Sequence, residues 1–319
     1  MLDPYETIKI KPELNKKKVF LAILVIIVVV SLSIYSGIKT AEYEHEIQKE
    51  QISQKEQEDQ ARIEQEEQAR KQAQQIAEEQ AKQEKERIEQ EARIQKTTNS
   101  FTEEQMQAVE NIYHASEGEK RVFLTFDDGP TQSVTPFILD LLKQENIKAT
   151  FFVLGNRVKA NPELIKREFN EGHYVANHGY THKYSAIYQN PQTVLDEYNY
   201  TEQCIQEALE NSNYHSKVFR FPGGSNGGYY NAIKQEAKKV LKENNIVHLD
   251  WNCLSKDAEG ASTKEQLLQN VIDTAGTKQS LVILMHDAAD KILTYETLPD
   301  VINYLRQNGY TFMNLYDIL

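Results

Sequence analysis

Two adjacent carboxylates, Asp127 and Asp128, stand in Thr125-Phe126-Asp127-Asp128-Gly129-Pro130, directly after the apolar run Val122-Phe123-Leu124. The run reads as a buried strand, and the Gly-Pro pair as the turn that stops it. Two like charges at the end of a buried strand cannot both ionise easily unless a cation neutralises one of them. Metal ligands are therefore the residues to seek downstream. His178 and His182 supply them, because two imidazoles separated by three residues face one side of a helical turn. With Asp128 they make a His-His-Asp set that leaves coordination positions open for water and substrate, as a catalytic site does. Such a site is hydrolytic.

Three further stretches follow: Arg220-Phe221-Pro222-Gly223-Gly224, Asp250-Trp251, and Leu281-Val282-Ile283-Leu284-Met285-His286. Taken singly, each motif has a bland reading: Asp-Asp-Gly-Pro is a common turn, and a His-x3-His pair arises often by chance. In this order, over roughly Arg121 to Leu319, the five resemble the polysaccharide deacetylases of carbohydrate esterase family 4. The resemblance implies a divalent metal on Asp128, His178 and His182. Zinc suits that donor set, with cobalt, nickel or manganese as alternatives. Asp127 is then the general base, and His286 the acid that protonates the departing amine. Gly223 is the oxyanion's backbone N–H donor. Pro222, Gly223, Trp251 and Leu284 are the expected substrate contacts.

Arg220 beside Asp127 would hold that carboxylate ionised and oriented, and a carboxylate beside His286 would keep the imidazole protonated. Two residues compete for the second place. Asp250-Trp251 matches the family's Asp-Trp pair literally, whereas spacing from the strand puts Asp257 there, and the reading leans to Asp257. Two departures stand out. Gly179 replaces the hydroxyl residue of the second motif, removing a hydrogen bond that orients the ligands. Gly223 replaces an aromatic residue within Gly223-Gly224-Ser225-Asn226-Gly227-Gly228, which reads as a flexible loop over an open groove.

Strand-like and helix-like stretches alternate after Arg121, which implies a parallel sheet covered by helices. The class is α/β, and an incomplete or distorted (β/α) barrel fits the count. The strands are expected at Val122–Phe126, Ala149–Leu154, Tyr174–Ala176, Val218–Phe221, Ile246–Asn252, Ser280–Met285 and Tyr310–Asn314, with a last helix at Leu298–Asn308. Loops after barrel strands form the active face, so residues distant in sequence can converge there.

The chain has 319 residues and a formal charge of −12, which argues against a nucleic-acid partner. Val19 to Ile38 form an apolar run of roughly the twenty residues a bilayer crossing needs. Lys9, Lys11, Lys16, Lys17 and Lys18 precede it, and Glu42, Glu44 and Glu46 follow. By the positive-inside rule, residues 1–18 stay in the cytoplasm and the rest lies outside, with an uncleaved anchor at 19–38 favoured over a signal peptide.

Residues 39–98 are rich in Glu, Gln, Lys, Arg and Ala without Pro, and predict a charged helical stalk. It reads as a solvated spacer, with weak homodimerisation or disorder as the alternatives. A junction at 99–120 and a catalytic domain at 121–319 complete the chain. Cys204 and Cys253 are a disulfide pair or buried free thiols. The expected substrate is a cell-wall glycan, N-acetylglucosamine of peptidoglycan foremost. The rivals are poly-N-acetylglucosamine, N-acetylmuramic acid, acetyl-xylan, or a non-catalytic wall-binding role for the same fold.

Overall fold

Alternation along one strand sets the architecture. In β1, Arg121–Asp127, the side chains of Val122, Leu124 and Phe126 point to one face, and those of Phe123, Thr125 and Asp127 to the other. The first face packs on Ile138 and Leu142 of α3 (Thr135–Gln144) and on Ile165 of α5 (Pro162–Asn170). The second lines the interior, with Phe152 of β2 (Thr150–Val153), Tyr174 of β3 (Tyr174–Asn177) and Val218 of β4 (Val218–Phe219). β7, Ser280–His286, repeats the pattern: Leu281, Ile283 and Met285 outward, Val282 inward.

This is a computed structural model, and it describes residues 16–98 and 100–319. The basic segment, as far as residue 15, and Asn99 of the junction lie outside the described residues. Every strand pair is parallel, in the order β5-β4-β3-β2-β1-β7-β6, with β8 (Thr311–Met313) added to the start of β1. The outermost strands β5 (Val247–His248) and β6 (Cys253–Leu254) do not pair with each other, so the curled sheet is a half-barrel. Helices α4 (Gly155–Ala160), α6 (Tyr184–Ile187), α7 (Pro191–Leu209), α8 (Asn231–Glu243), α9 (Lys264–Ala275) and α10 (Ile292–Gln307) complete it.

Three differences from the sequence expectation have a clear physical cause. A single strand over Ile246–Asn252 is replaced by β5 and β6, because the Leu249 and Asp250 carbonyls accept from the Arg220 guanidinium at 3.0 Å each. Those groups are withdrawn from any ladder. α10 starts at Ile292 rather than Leu298 and contains Pro299. Burial of Thr294, Thr297, Leu298 and Val301 outweighs the local cost of the proline. His178 and His182 lie on a loop, not a helical turn, since Gly179 (φ +80°) and His182 (φ +57°) are left-handed.

The described residues divide after Gln83 into two units. In the first, α1 (Lys16–Thr98) includes a stretch long and apolar enough to cross a membrane. The second begins at Glu84, well before the catalytic boundary expected at residue 121. The physical reason is packing. Arg93 lies over the Phe169 ring at 5.9 Å, and Lys96 Nζ donates to the Tyr316 carbonyl at 2.5 Å. Phe101, Val109 and Ile112, around α2 (Glu103–Glu110), are buried. Cys204 and Cys253 are buried free thiols, so the disulfide alternative falls.

Burying a large apolar side chain stabilises by about 1.5–3 kcal/mol. Residues 121–319 alone are therefore expected to unfold in urea with at least about 3 kcal/mol less stability than residues 84–319. Equal midpoints would place the 84–120 segment outside the fold's core.

Candidate active site

The register of β1 against β7 pairs Asp127 with His286 and Thr125 with Leu284. Both partners project to the interior, so a carboxylate and an imidazole meet at the strand ends. Asp127 is 2% exposed, and Arg220, which is fully buried, donates from Nη1 to its Oδ1 at 2.8 Å and to Thr125 Oγ1 at 2.7 Å. The guanidinium also lies 3.8 Å from the Phe152 ring centre. Burial pushes the Asp127 carboxyl up from its usual value, and the Arg220 charge and hydrogen bond work against that rise.

Asp128 breaks the alternation, with φ at +76°. This left-handed turn, rare for a residue with a side chain, directs the second carboxylate to the histidines. Asp128 Oδ1 is 3.6 Å from both His178 Nε2 and His182 Nε2. Among the described residues this buried acceptor has no hydrogen-bond donor. The ligand atoms of Asp128, His178 and His182 all lie within 4.8 Å of one another. His178 Nδ1 bonds the Arg220 carbonyl at 2.8 Å, which leaves Nε2 as the bare nitrogen facing Asp128. Burial lowers the His178 pKa to about 3, so the ring is neutral. An orphaned carboxylate oxygen facing the neutral His178 ring and the His182 Nε2 atom fits a divalent cation.

Gly179 removes the hydroxyl of the second motif, but the ligand loop keeps other supports. Glu197 Oε2 accepts from the Tyr180 and Thr181 amides at 2.8 and 3.4 Å, and Asn177 Oδ1 accepts from the Gly179 amide at 3.0 Å. Gly129 has a separate reason to be glycine. A Cβ there would meet Asp287 Oδ2 at 2.0 Å.

The structure sets Asp257, not Asp250, beside His286. Asp257 Oδ1 is 2.8 Å from His286 Nδ1, while Oδ2 accepts from the His286 amide and the Thr294 hydroxyl, each at 2.8 Å. Burial opposes the imidazolium, yet the Asp257 hydrogen bond and charge, followed by Asp127 and Asp128, raise the His286 pKa to about 9. Asp250 instead holds the glycine-rich loop, accepting from Ser225 Oγ at 2.6 Å. Lys234 Nζ donates to the Gly224 carbonyl at 2.7 Å, and Asn231 Oδ1 accepts from the Gly227 amide at 2.8 Å. The loop expected to be flexible is thus pinned at both ends.

The remaining expected contacts are buried or half-buried. Pro222 offers its carbonyl to Tyr188 Oη at 2.7 Å, Trp251 is half-buried against Gly224, and Leu284 is nearly buried on the inner face of β7. Sequence reasoning missed Glu197, Thr294 and Thr125. Only Thr125 carried a signal, since alternation places it one inward position before Asp127.

A half-barrel that pairs an arginine-held carboxylate with a carboxylate-held imidazole next to a cation-shaped cluster has the architecture of a hydrolase. A sequence profile described as polysaccharide deacetylase matches residues 114–244. The peptidoglycan-N-acetylglucosamine deacetylase PgdA of Listeria monocytogenes is 34% identical over 203 residues, 62% of this chain and 39% of that protein. The match therefore spans well under two thirds of that relative's length. A peptidoglycan-N-acetylglucosamine deacetylase of Bacillus cereus is 37% identical over 197 residues, covering 60% of this chain and 68% of the relative. A Streptococcus mutans CE4 esterase structure aligns with a TM-score of 0.58 at 31% identity, covering 66% of this chain and 90% of that one. The chain belongs to the polysaccharide deacetylases of carbohydrate esterase family 4.

Two outcomes test this geometry. Arg220→Met would leave Asp127 buried without its charge partner and is expected to cost about 3–5 kcal/mol of unfolding free energy; a loss under about 1 kcal/mol contradicts it. In metal-free protein, His286 should titrate near 9 by NMR and fall toward 6.5, its ordinary value, in Asp257→Asn. A raised folded pKa gives stability that is present below the unfolded value and lost as pH rises through the folded one. The stability gap between wild type and Asp257→Asn should therefore narrow from about pH 6.5 to about 9, and a constant gap argues against the pair.

Proposed function

We propose that this chain is a metal-dependent N-deacetylase of a cell-wall glycan, with N-acetylglucosamine of peptidoglycan as its substrate. One observation carries the chemistry: Asp127 and His286 are register partners on adjacent strands, beside the Asp128, His178 and His182 cluster. The Listeria and Bacillus relatives, both peptidoglycan-N-acetylglucosamine deacetylases, support that substrate. In this reading residues 1–18 are cytoplasmic, 19–38 anchor the chain in the membrane, and the catalytic unit is extracellular. That unit acts on the adjacent wall. Weak self-association of the stalk is part of the same proposal.

Asp128, His178 and His182 would hold the cation, zinc by donor chemistry. When bound, it supplies Lewis-acid polarisation of a carbonyl and a more acidic water. Asp127 takes the proton of the attacking water, while Arg220 orients the carboxylate through Oδ1 and leaves Oδ2 toward the site. The Gly223 N–H donates to the oxyanion that forms at the acetyl carbon. His286, kept protonated by Asp257, gives its proton to the leaving amine. The C–N bond breaks, and acetate and a free amino sugar leave. Trp251, Pro222 and Leu284 shape the sugar's surroundings.

Residues 84–319 should release acetate from chitin oligomers and peptidoglycan, lose that activity on chelation, and regain it with zinc. Asp127→Asn should lower kcat by roughly 10²–10⁴-fold, the usual worth of a positioned base, with zinc content unchanged. Absence of acetate release by folded, zinc-loaded protein would refute the enzyme reading. Release from acetyl-xylan alone would move the substrate.

A further inference from the structure

The glycine-rich loop has no side chains at two consecutive positions, and both vacant places are filled from elsewhere. A Cβ on Gly223 would lie 2.4 Å from Tyr184 Oη and 3.0 Å from its Cζ. A Cβ on Gly224 would lie 3.2 Å from the Trp251 ring. The bare backbone of Gly223-Gly224 thus runs between two aromatic side chains carried by other segments. The aromatic residue that the resemblance leads one to expect at position 223 has its space occupied by Tyr184.

Tyr184 comes from α6, two residues after His182, and its ring centre is 5.5 Å from that imidazole. Tyr188 and Tyr230 pack on it with ring centres at 5.9 and 6.4 Å, and Lys234 Nζ approaches its face at 6.0 Å. These contacts fix the ring, yet 43% of the residue remains exposed. Among the described residues, neither the Tyr184 hydroxyl nor the Gly223 N–H has a hydrogen-bond acceptor. Two free donors therefore stand together, one of them on a ring packed 5.5 Å from the His182 imidazole. An exposed, immobilised phenol next to a free amide, with no internal partner for either, suits a ligand that brings an acceptor oxygen and an apolar ring face.

We propose that Tyr184 is a substrate-binding and catalytic residue: its ring walls the subsite of the reacting N-acetylhexosamine, and its hydroxyl donates with the Gly223 N–H to the acetyl carbonyl oxygen. The inference rests on the deacetylase reading and adds to it a second donor for the oxyanion. A phenol is a donor at neutral pH, so no proton need be supplied or removed. The bond strengthens as charge develops on the oxygen, and its effect is greater on kcat than on KM. Gly223 and Tyr184 form one device, since any side chain at 223 would displace the phenol.

The test uses the full chain with Tyr184→Phe and Tyr184→Ala, reading kcat, KM, zinc content and thermal midpoint with chitin oligomers. Tyr184→Phe is expected to lower kcat roughly 10–1000-fold, as loss of one oxyanion donor does, with zinc content and midpoint unchanged. Tyr184→Ala should also raise KM several-fold as the sugar's wall is lost. Wild-type kcat in Tyr184→Phe overturns the proposal, as does a fall in kcat matched by a fall in zinc content, which would make Tyr184 a support for His182. Oligomer affinity by calorimetry separates this failure from failure of the deacetylase reading. Should wild type release no acetate, Tyr184→Phe must still weaken oligomer binding by about 2–12-fold, the worth of one neutral hydrogen bond. Unchanged affinity then overturns the proposal as well.

Discussion

The buried contact between Arg220 and Asp127 is the constraint on which the rest of the structure depends. An isolated carboxylate in a protein interior would take up a proton, and an isolated guanidinium could not be accommodated at all. Together they persist because the remaining donors are also used: Thr125 Oγ1 and the Leu249 and Asp250 carbonyls complete the shell of Arg220. That shell has an architectural consequence. Drawing in the 249–250 backbone ends β5 after two residues and sends the chain to the opposite edge, where β6 pairs with β7. The opening of the half-barrel and the polarity of its centre thus have one cause.

The same contact separates two chemically identical neighbours. Asp127 follows the strand's alternation to the interior and is held by Arg220, whereas Asp128 leaves the strand at φ +76° and faces two imidazoles. Adjacent carboxylates in equal surroundings would share protons and ligands. Here the surroundings differ within one residue, which is how one can hold a cation while its neighbour handles protons. His286 receives the opposite treatment from Asp257, and the register of β1 with β7 sets the Asp127 carboxylate and the His286 imidazole side by side.

Much of this was legible in the sequence because it depends on local signals. Apolar runs ended by Asp127, Arg220 and His286 marked strands whose ends converge, and the class and half-barrel followed from their repetition. Spacing favoured Asp257 over Asp250, and the hydrogen bonds of His286 agree. What could not be read depends on distant partners. Nothing near Leu249 announces that its carbonyl serves Arg220, so the strand there was drawn too long. No local signal before Leu298 marks the earlier start of α10, and tertiary burial of Thr294 and Thr297 carries the helix back to Ile292. The His-x3-His spacing suggested a helix, but a loop with two left-handed residues brings the rings to 5.2 Å just as well. Likewise, the glycine-rich stretch looked flexible until Asp250, Lys234 and Asn231 were found holding it.

The central claim is the division of labour between Asp127 and Asp128, and anomalous diffraction at the zinc edge from crystals of residues 84–319 tests it most directly. The account predicts a single peak ligated by Asp128, His178 and His182, with Asp127 still bonded to Arg220 and not a ligand. A peak bridged by both aspartates with Arg220 displaced, or no peak in zinc-saturated crystals, would contradict it.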